Sequence, residues 1–149
     1  MRVTRSPTET CHALIRAYEG LRLSPYRDLA GVATIGYGST GPHVTMHSPS
    51  ITEAEANRLL ILDADAAARA VLRLIHVPLT DGQFDALTDF AYNLGGGALQ
   101  RSRLRAVINR GEHQDVEAEL LKWCKAGGVV VRGLLRRRQA EADIYNRGG

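Results

Sequence analysis

Tyr18 to Thr40 reads Y-E-G-L-R-L-S-P-Y-R-D-L-A-G-V-A-T-I-G-Y-G-S-T, and the periodicity of the chain changes inside it. On its N-terminal side Cys11, Leu14, Ile15 and Tyr18 recur at helical spacing, giving a helix with one apolar face. Ser6-Pro7-Thr8-Glu9 has the form of a capping box with proline at the first helical position, which predicts a helix starting at Pro7. Gly20 should stop it, because glycine reaches the left-handed conformation that closes a helix. Beyond Gly20 the pattern alternates. Leu21 and Leu23 flank Arg22, Pro25 suits an edge strand or a bend, Asp28 to Gly31 has turn composition, and Val32 to Tyr37 is rich in β-formers. A helix running into a glycine-turned hairpin is expected, with Gly36 and Gly38 letting the backbone pass close to another strand or a ligand.

Three side chains in this stretch carry chemistry. Glu19 falls at the negative end of the helix dipole, which favours a carboxyl that keeps its proton. A hairpin closing at Asp28 brings that carboxylate near Thr34 across the strands. A carboxylic acid, a carboxylate and a hydroxyl able to hold water are the groups that hydrolysis of a glycosidic bond requires. Taken singly, each residue has a plainer reading, as a helix end, a turn and a strand former. The ordered set is what points to catalysis.

The spacing Glu19, Asp28, Thr34, with G-Y-G-S-T behind it, resembles the catalytic signature of the phage-type lysozymes, the endolysins of the T-even lysozyme family. The likeness extends from about Glu9 to Tyr145. It takes in I-T-E-A-E-A from Ile51, V-P-L-T-D-G-Q-F-D-A-L from Val77, Y-N-L-G-G-G from Tyr92 and G-L-L-R-R-R-Q-A-E from Gly133. The resemblance implies an α+β, mostly helical fold forming one domain over residues 1–149. A small three-stranded β-sheet lobe (20–50) is joined by a long helix (52–76) to a helical lobe (80–149 with the N-terminal helix 7–18). It implies a muramidase acting on the β-1,4 bond between N-acetylmuramic acid and N-acetylglucosamine of bacterial peptidoglycan, with inversion, to lyse a phage or prophage host. In that reading Glu19 is the acid, and Asp28, with Thr34 helping to hold a water, activates that water or stabilises the oxocarbenium-like transition state. Tyr37, Gly38, Asn93 and Arg136 are expected at the substrate, with Arg136 reaching Glu19 across the cleft. No metal or organic cofactor is needed. The chain is expected to work as a monomer, without stable membrane insertion, and to depend on a holin. It would wait in the host cytoplasm and meet the periplasmic wall once the membrane is permeabilised.

The remaining chain reads as helices. Thr52 to Glu55 and Thr80 to Gln83 are further capping boxes. The first opens the longest helix, to about Ile75, with apolar residues on more than one side; the second opens a helix ended by Gly95-Gly96-Gly97. Arg101 to Arg110, Glu112 to Lys125 and Gly133 to Tyr145 complete about seven helices, and a third short strand is expected around Val44. His43 and His47 lie in a Pro- and Gly-rich loop, where four-residue spacing does not make a metal site. Cys11 and Cys124 read as free thiols, a regulatory disulfide being the alternative. No apolar run is long enough to cross a membrane, and Met1 to Thr8 has basic residues without the apolar segment of an export signal. Up to Gly97 there are eight basic and ten acidic residues; from Ala98 there are eleven and six. The basic half suits an anionic polymer such as a cell wall. Arg136-Arg137-Arg138 would also suit nucleic acid, but no recognised motif accompanies it and aromatic residues make up only 5% of the chain, so no nucleic-acid partner is expected. A wall-binding protein of the same fold without activity is the other rival.

Overall fold

The computed structural model describes residues 5–147. The expectation about an export signal rests partly on residues 1–4, outside the described residues. The elements in order are α1 (Glu9–Glu19), β1 (Arg22–Arg27), β2 (Ala33–Gly36), α2 (Glu53–Leu74), α3 (Asp81–Leu94), α4 (Gly96–Gln100), α5 (Arg103–Asn109), a 3-10 turn (His113–Asp115), α6 (Val116–Leu121), β3 (Lys125–Ala126), β4 (Val129–Val130) and α7 (Arg132–Arg147). The fold is α+β and mostly helical. Among the described residues no helix is long and apolar enough to cross a membrane.

Helix boundaries follow local chemistry where a side chain can cap its own helix. Thr80 and Gln83 form a complete capping box, with each side chain accepting from the other's backbone N–H, a device worth about 1 kcal/mol. At α2 only half the box forms. Thr52 accepts from Glu55 N, while the Glu55 carboxylate forks onto Arg58. At α1 the expected start at Pro7 is corrected to Glu9, with Thr8 as the cap. Asp85 of α3 is the reason: it accepts from the Thr8 backbone N–H at 2.8 Å and from the Thr8 hydroxyl, fixing Thr8 rather than Ser6 at the helix entrance.

The sheet expected from residues 20–50 has two strands. β1 and β2 pair antiparallel, with an irregular register between Arg22 and Tyr26. Pro25 lies in that gap and has no N–H to give the ladder. The segment around Val44 forms turns instead of a third strand, and its place is taken by the isolated Ile35–Ser39 bridge. A second hairpin, β3–β4, closes through Gly127 and Gly128 and takes Lys125 from the end of the helix expected over 112–125. Similarly, Gly95 ends α3, yet Gly96 and Gly97 begin α4 rather than a loop.

Two apolar clusters form the interior. One, built on α3, holds Phe84, Leu87, Phe90, Leu104, Ile108 and Tyr145, with Trp123 meeting Phe90 edge-on at 5.4 Å. The other gathers Cys11, Ile15, Tyr37, Ala56, Leu60 and Ala64 between α1, β2 and α2. α2 belongs to both: Ala56, Leu60 and Ala64 face the second cluster, while Ala68, Val71 and Leu74 continue the same stripe into the first. Its 22 residues span about 33 Å. Ile61 and Leu62, apolar residues off this stripe, are exposed.

Candidate active site

Glu19 is the last residue of α1, and Gly20 leaves the helix at φ 73°, its N–H returning to the carbonyl of Arg16. The chain therefore turns sharply just past the carboxyl and sends β1 away. Two walls hold that carboxyl. Arg137 Nη1 donates to Glu19 Oε2 at 2.7 Å. On the other side lies Gly38, whose Cβ, were there one, would stand 2.8 Å from Glu19 Oε1. Gly38, expected at the substrate, is thus a glycine because the acid occupies the space of a side chain.

Arg137 is itself fixed from below. Its Nε and Nη2 fork onto both oxygens of Asp89, at 2.9 and 2.8 Å, in a site where Asp89 is wholly buried. Such a bidentate pair sets the plane of the guanidinium, so the nitrogen left over points at Glu19. Next to it Arg138, also wholly buried, donates to Asn93 and Glu141 and lies over the Phe90 ring. Burial first, and then the neighbouring Asp89, push the Glu141 carboxyl well above the usual range. Burial acts to raise Asp89 as well, but hydrogen bonds from Glu141 and Arg137 and the two arginine charges outweigh it and hold Asp89 low. The two buried acids are thus pushed apart, Asp89 downward and Glu141 upward.

Here one expectation needs correcting. Arg136 does not reach Glu19; Arg137 does. Successive helical residues point about 100° apart, so one position decides which arginine enters the cleft. Arg136 is exposed, and it is its backbone carbonyl that meets the Tyr18 hydroxyl, at 3.2 Å.

Asp28 begins the turn of the first hairpin. Its Oδ1 accepts from the N–H groups of Ala30 and Val32, both at 2.9 Å, which locks the turn and leaves Oδ2 for water or substrate. Thr34 is buried in β2, opposite Tyr26, and donates its hydroxyl to the Val32 carbonyl at 2.8 Å, so its oxygen lone pairs remain to accept. Tyr26 has its hydroxyl pushed up by burial and then by Glu19 and Asp28. It lies within the field of both acids and was not singled out from the sequence.

A cleft of about 330 Å³ opens beside Glu19, lined among others by Tyr18, Leu29, Asn93, Leu134 and Arg137. Asn93 is one of the lining residues, with its carbonyl oxygen already occupied by Arg138. Tyr37 is not: its side chain is 5% exposed and packs in the second apolar cluster. His43 and His47 are exposed in the turns after β2. Cys11 and Cys124 are both free and buried, and burial pushes the Cys11 thiol up, away from reactivity. Asp89 and Glu141 escaped the sequence reading, although a charged residue between Thr88 and Phe90 on an apolar helix is a signal that a buried partner must exist.

Residues 16–141 match the family described as Phage lysozyme. An endolysin of Bacillus phage B103 is 41% identical over 134 residues, 89% of this chain and 51% of that protein. The chain thus spans about half the length of the Bacillus phage endolysins it matches. A SAR-endolysin of Escherichia phage Mu is 38% identical over 128 residues, 86% of this chain and 74% of that protein. Among solved structures, the endolysin from Escherichia coli O157:H7 phage FAHEc1 superposes with a TM-score of 0.86 at 34% identity, covering 97% of this chain and 96% of its own. The muramidase domain of SpmX from Asticaccaulis excentricus does so with a TM-score of 0.86 at 31% identity, covering 95% and 98%. The matched span contains Glu19, Asp28, Thr34 and Arg137, and the chain belongs to the phage lysozyme family.

Proposed function

We propose that this chain is a phage endolysin that cuts the glycan of bacterial peptidoglycan at the β-1,4 bond between N-acetylmuramic acid and N-acetylglucosamine. The observation that carries the reading is the Glu19 carboxyl itself. It opens on a cleft, held between Arg137 and the Gly38 backbone, with its neighbour Tyr26 also feeling the charge of Asp28. Protonated Glu19 gives its proton to the glycosidic oxygen as the bond from the anomeric carbon breaks. Positive charge builds on the sugar, and Asp28, through the oxygen its turn leaves unused, stabilises it and takes a proton from the attacking water. Thr34 offers its lone pairs to hold that water. Attack from the far side yields the inverted sugar. We read the two apolar clusters as the cores of two lobes of one domain, joined by α2 beside the cleft. The protein would act as a monomer on the periplasmic wall after a holin has permeabilised the inner membrane.

The test is release of reducing ends from purified peptidoglycan. Wild type should release them and Glu19→Gln, which keeps the shape but not the proton, should not. General acid catalysis is worth ~10²–10⁴-fold, so a variant keeping more than about a tenth of the activity would remove Glu19 from the role. Wild-type protein that sediments with the wall but frees no reducing ends would instead identify an inactive wall-binding protein.

A further inference from the structure

Tyr92, in the last turn of α3, carries a hydroxyl that leaves its own helix and donates to the backbone carbonyl of Tyr37 at 2.6 Å. Resting on the reading of Glu19 as the acid, we propose that Tyr92 is a positioning residue for it, its hydroxyl pinning the Tyr37–Gly38 backbone against the Glu19 carboxyl. The segment needs a tether. Tyr37 lies one residue beyond β2, between Gly36 at φ 68° and Gly38 at φ 88°, and two glycines leave a backbone with few restraints of its own. The Ile35–Ser39 bridge closes the ends of this loop, with N–H to carbonyl distances of 2.9 and 2.8 Å. Tyr92 takes the carbonyl at its middle.

The tether acts where Gly38 meets the acid. The position of its missing Cβ lies 2.8 Å from Glu19 Oε1 and 3.4 Å from the carboxyl carbon, so this backbone is one wall of the slot whose other wall is Arg137 Nη1. A carboxyl between two such walls has a set rotation. If one wall moves by a fraction of an ångström, the proton no longer lies on line with the glycosidic oxygen, and rate is lost through orientation rather than through binding. The phenol is a dependable donor, because burial, and then the charges of Asp63 and Glu19, push its ionisation up. Its ring packs against the second apolar cluster, a role that phenylalanine preserves.

Tyr92→Phe therefore separates hydroxyl from ring. On purified peptidoglycan its kcat should fall about tenfold, equivalent to ~1.4 kcal/mol of barrier, with KM within about twofold of wild type. The same substitution added to Glu19→Gln, assayed at high enzyme concentration, should cause no further loss, because residues that act as a unit are not additive. Unchanged kcat in Tyr92→Phe would overturn the proposal. An equal tenfold loss in the Glu19→Gln background would overturn it too, as would loss of fold together with activity, since the hydroxyl would then serve stability alone. Failure of wild type to release reducing ends is a different result, and it would sink the functional reading whatever Tyr92 does.

Discussion

Gly38→Ala is the substitution in which the slot around Glu19 can be broken with one methyl group. Two costs arise, and they fall on different properties. The backbone at residue 38 has φ 88°, where an L-residue costs on the order of 1–2 kcal/mol. For a chain of 149 residues that is a fall in Tm of roughly 2–8 °C. The second cost is steric. The new Cβ meets Glu19 Oε1 at 2.8 Å, and the group that must yield is the flexible end of a side chain. The carboxyl swings away and gives up its 2.7 Å bond to Arg137. Arg137 keeps both bonds to Asp89, so no buried charge is orphaned and the steric part costs little stability. Activity has no such reserve, because a displacement near 1 Å at the reacting group costs ~10²-fold. Gly111→Ala supplies the control: φ is 75° and nothing lies within 4 Å of the added methyl, so it should share the strain and spare the activity. Thermal unfolding and reducing-end release measured on both variants decide the matter. If Gly38→Ala stays within about threefold of wild type, or if Gly111→Ala loses as much activity, the slot does not position the acid.

Arg137→Ala leaves Asp89 buried without its partner and should cost ~3–5 kcal/mol in denaturant unfolding, while Arg136→Ala on the exposed side should stay within ~0.5 kcal/mol; equal effects would mean that the cleft arginine is wrongly assigned. Asp28→Asn retains an oxygen for the Ala30 and Val32 N–H groups, so melting should barely change while turnover drops by ~10²-fold or more; turnover near wild type would take Asp28 out of the mechanism. Glu141, raised by burial and by Asp89, holds its proton more tightly folded than unfolded, where a glutamate gives it up above about pH 4.3. Wild type therefore loses stability as pH climbs from there towards the folded value. Glu141→Gln, already neutral, should gain on wild type as pH rises above about 4.3, by at most ~1.4 kcal/mol per pH unit; parallel Tm–pH curves would refute the upward shift of Glu141.

What could be read along the chain was whatever a residue settles with its near neighbours. Thr80 and Gln83 cap each other three residues apart, Gly20 and Gly95 close their helices, and Asp28 folds its own turn. Each forms from groups a few residues apart, so the order of helices, the hairpin and the place of Glu19 at a helix end were legible. The tertiary structure decided everything that depends on a partner far along the chain. Thr8 caps α1 because Asp85 grips it from 77 residues away. Arg137, not Arg136, meets Glu19 across 118 residues, because the docking of α7 on α3 selects which side of the helix faces the cleft. Tyr37 is core rather than substrate contact because α2 packs over it, and Tyr92 reaches its carbonyl across 55 residues. A local pattern names the residue types a site needs, but the angle at which two helices meet determines which copy of an arginine, and which face of a tyrosine, arrives there.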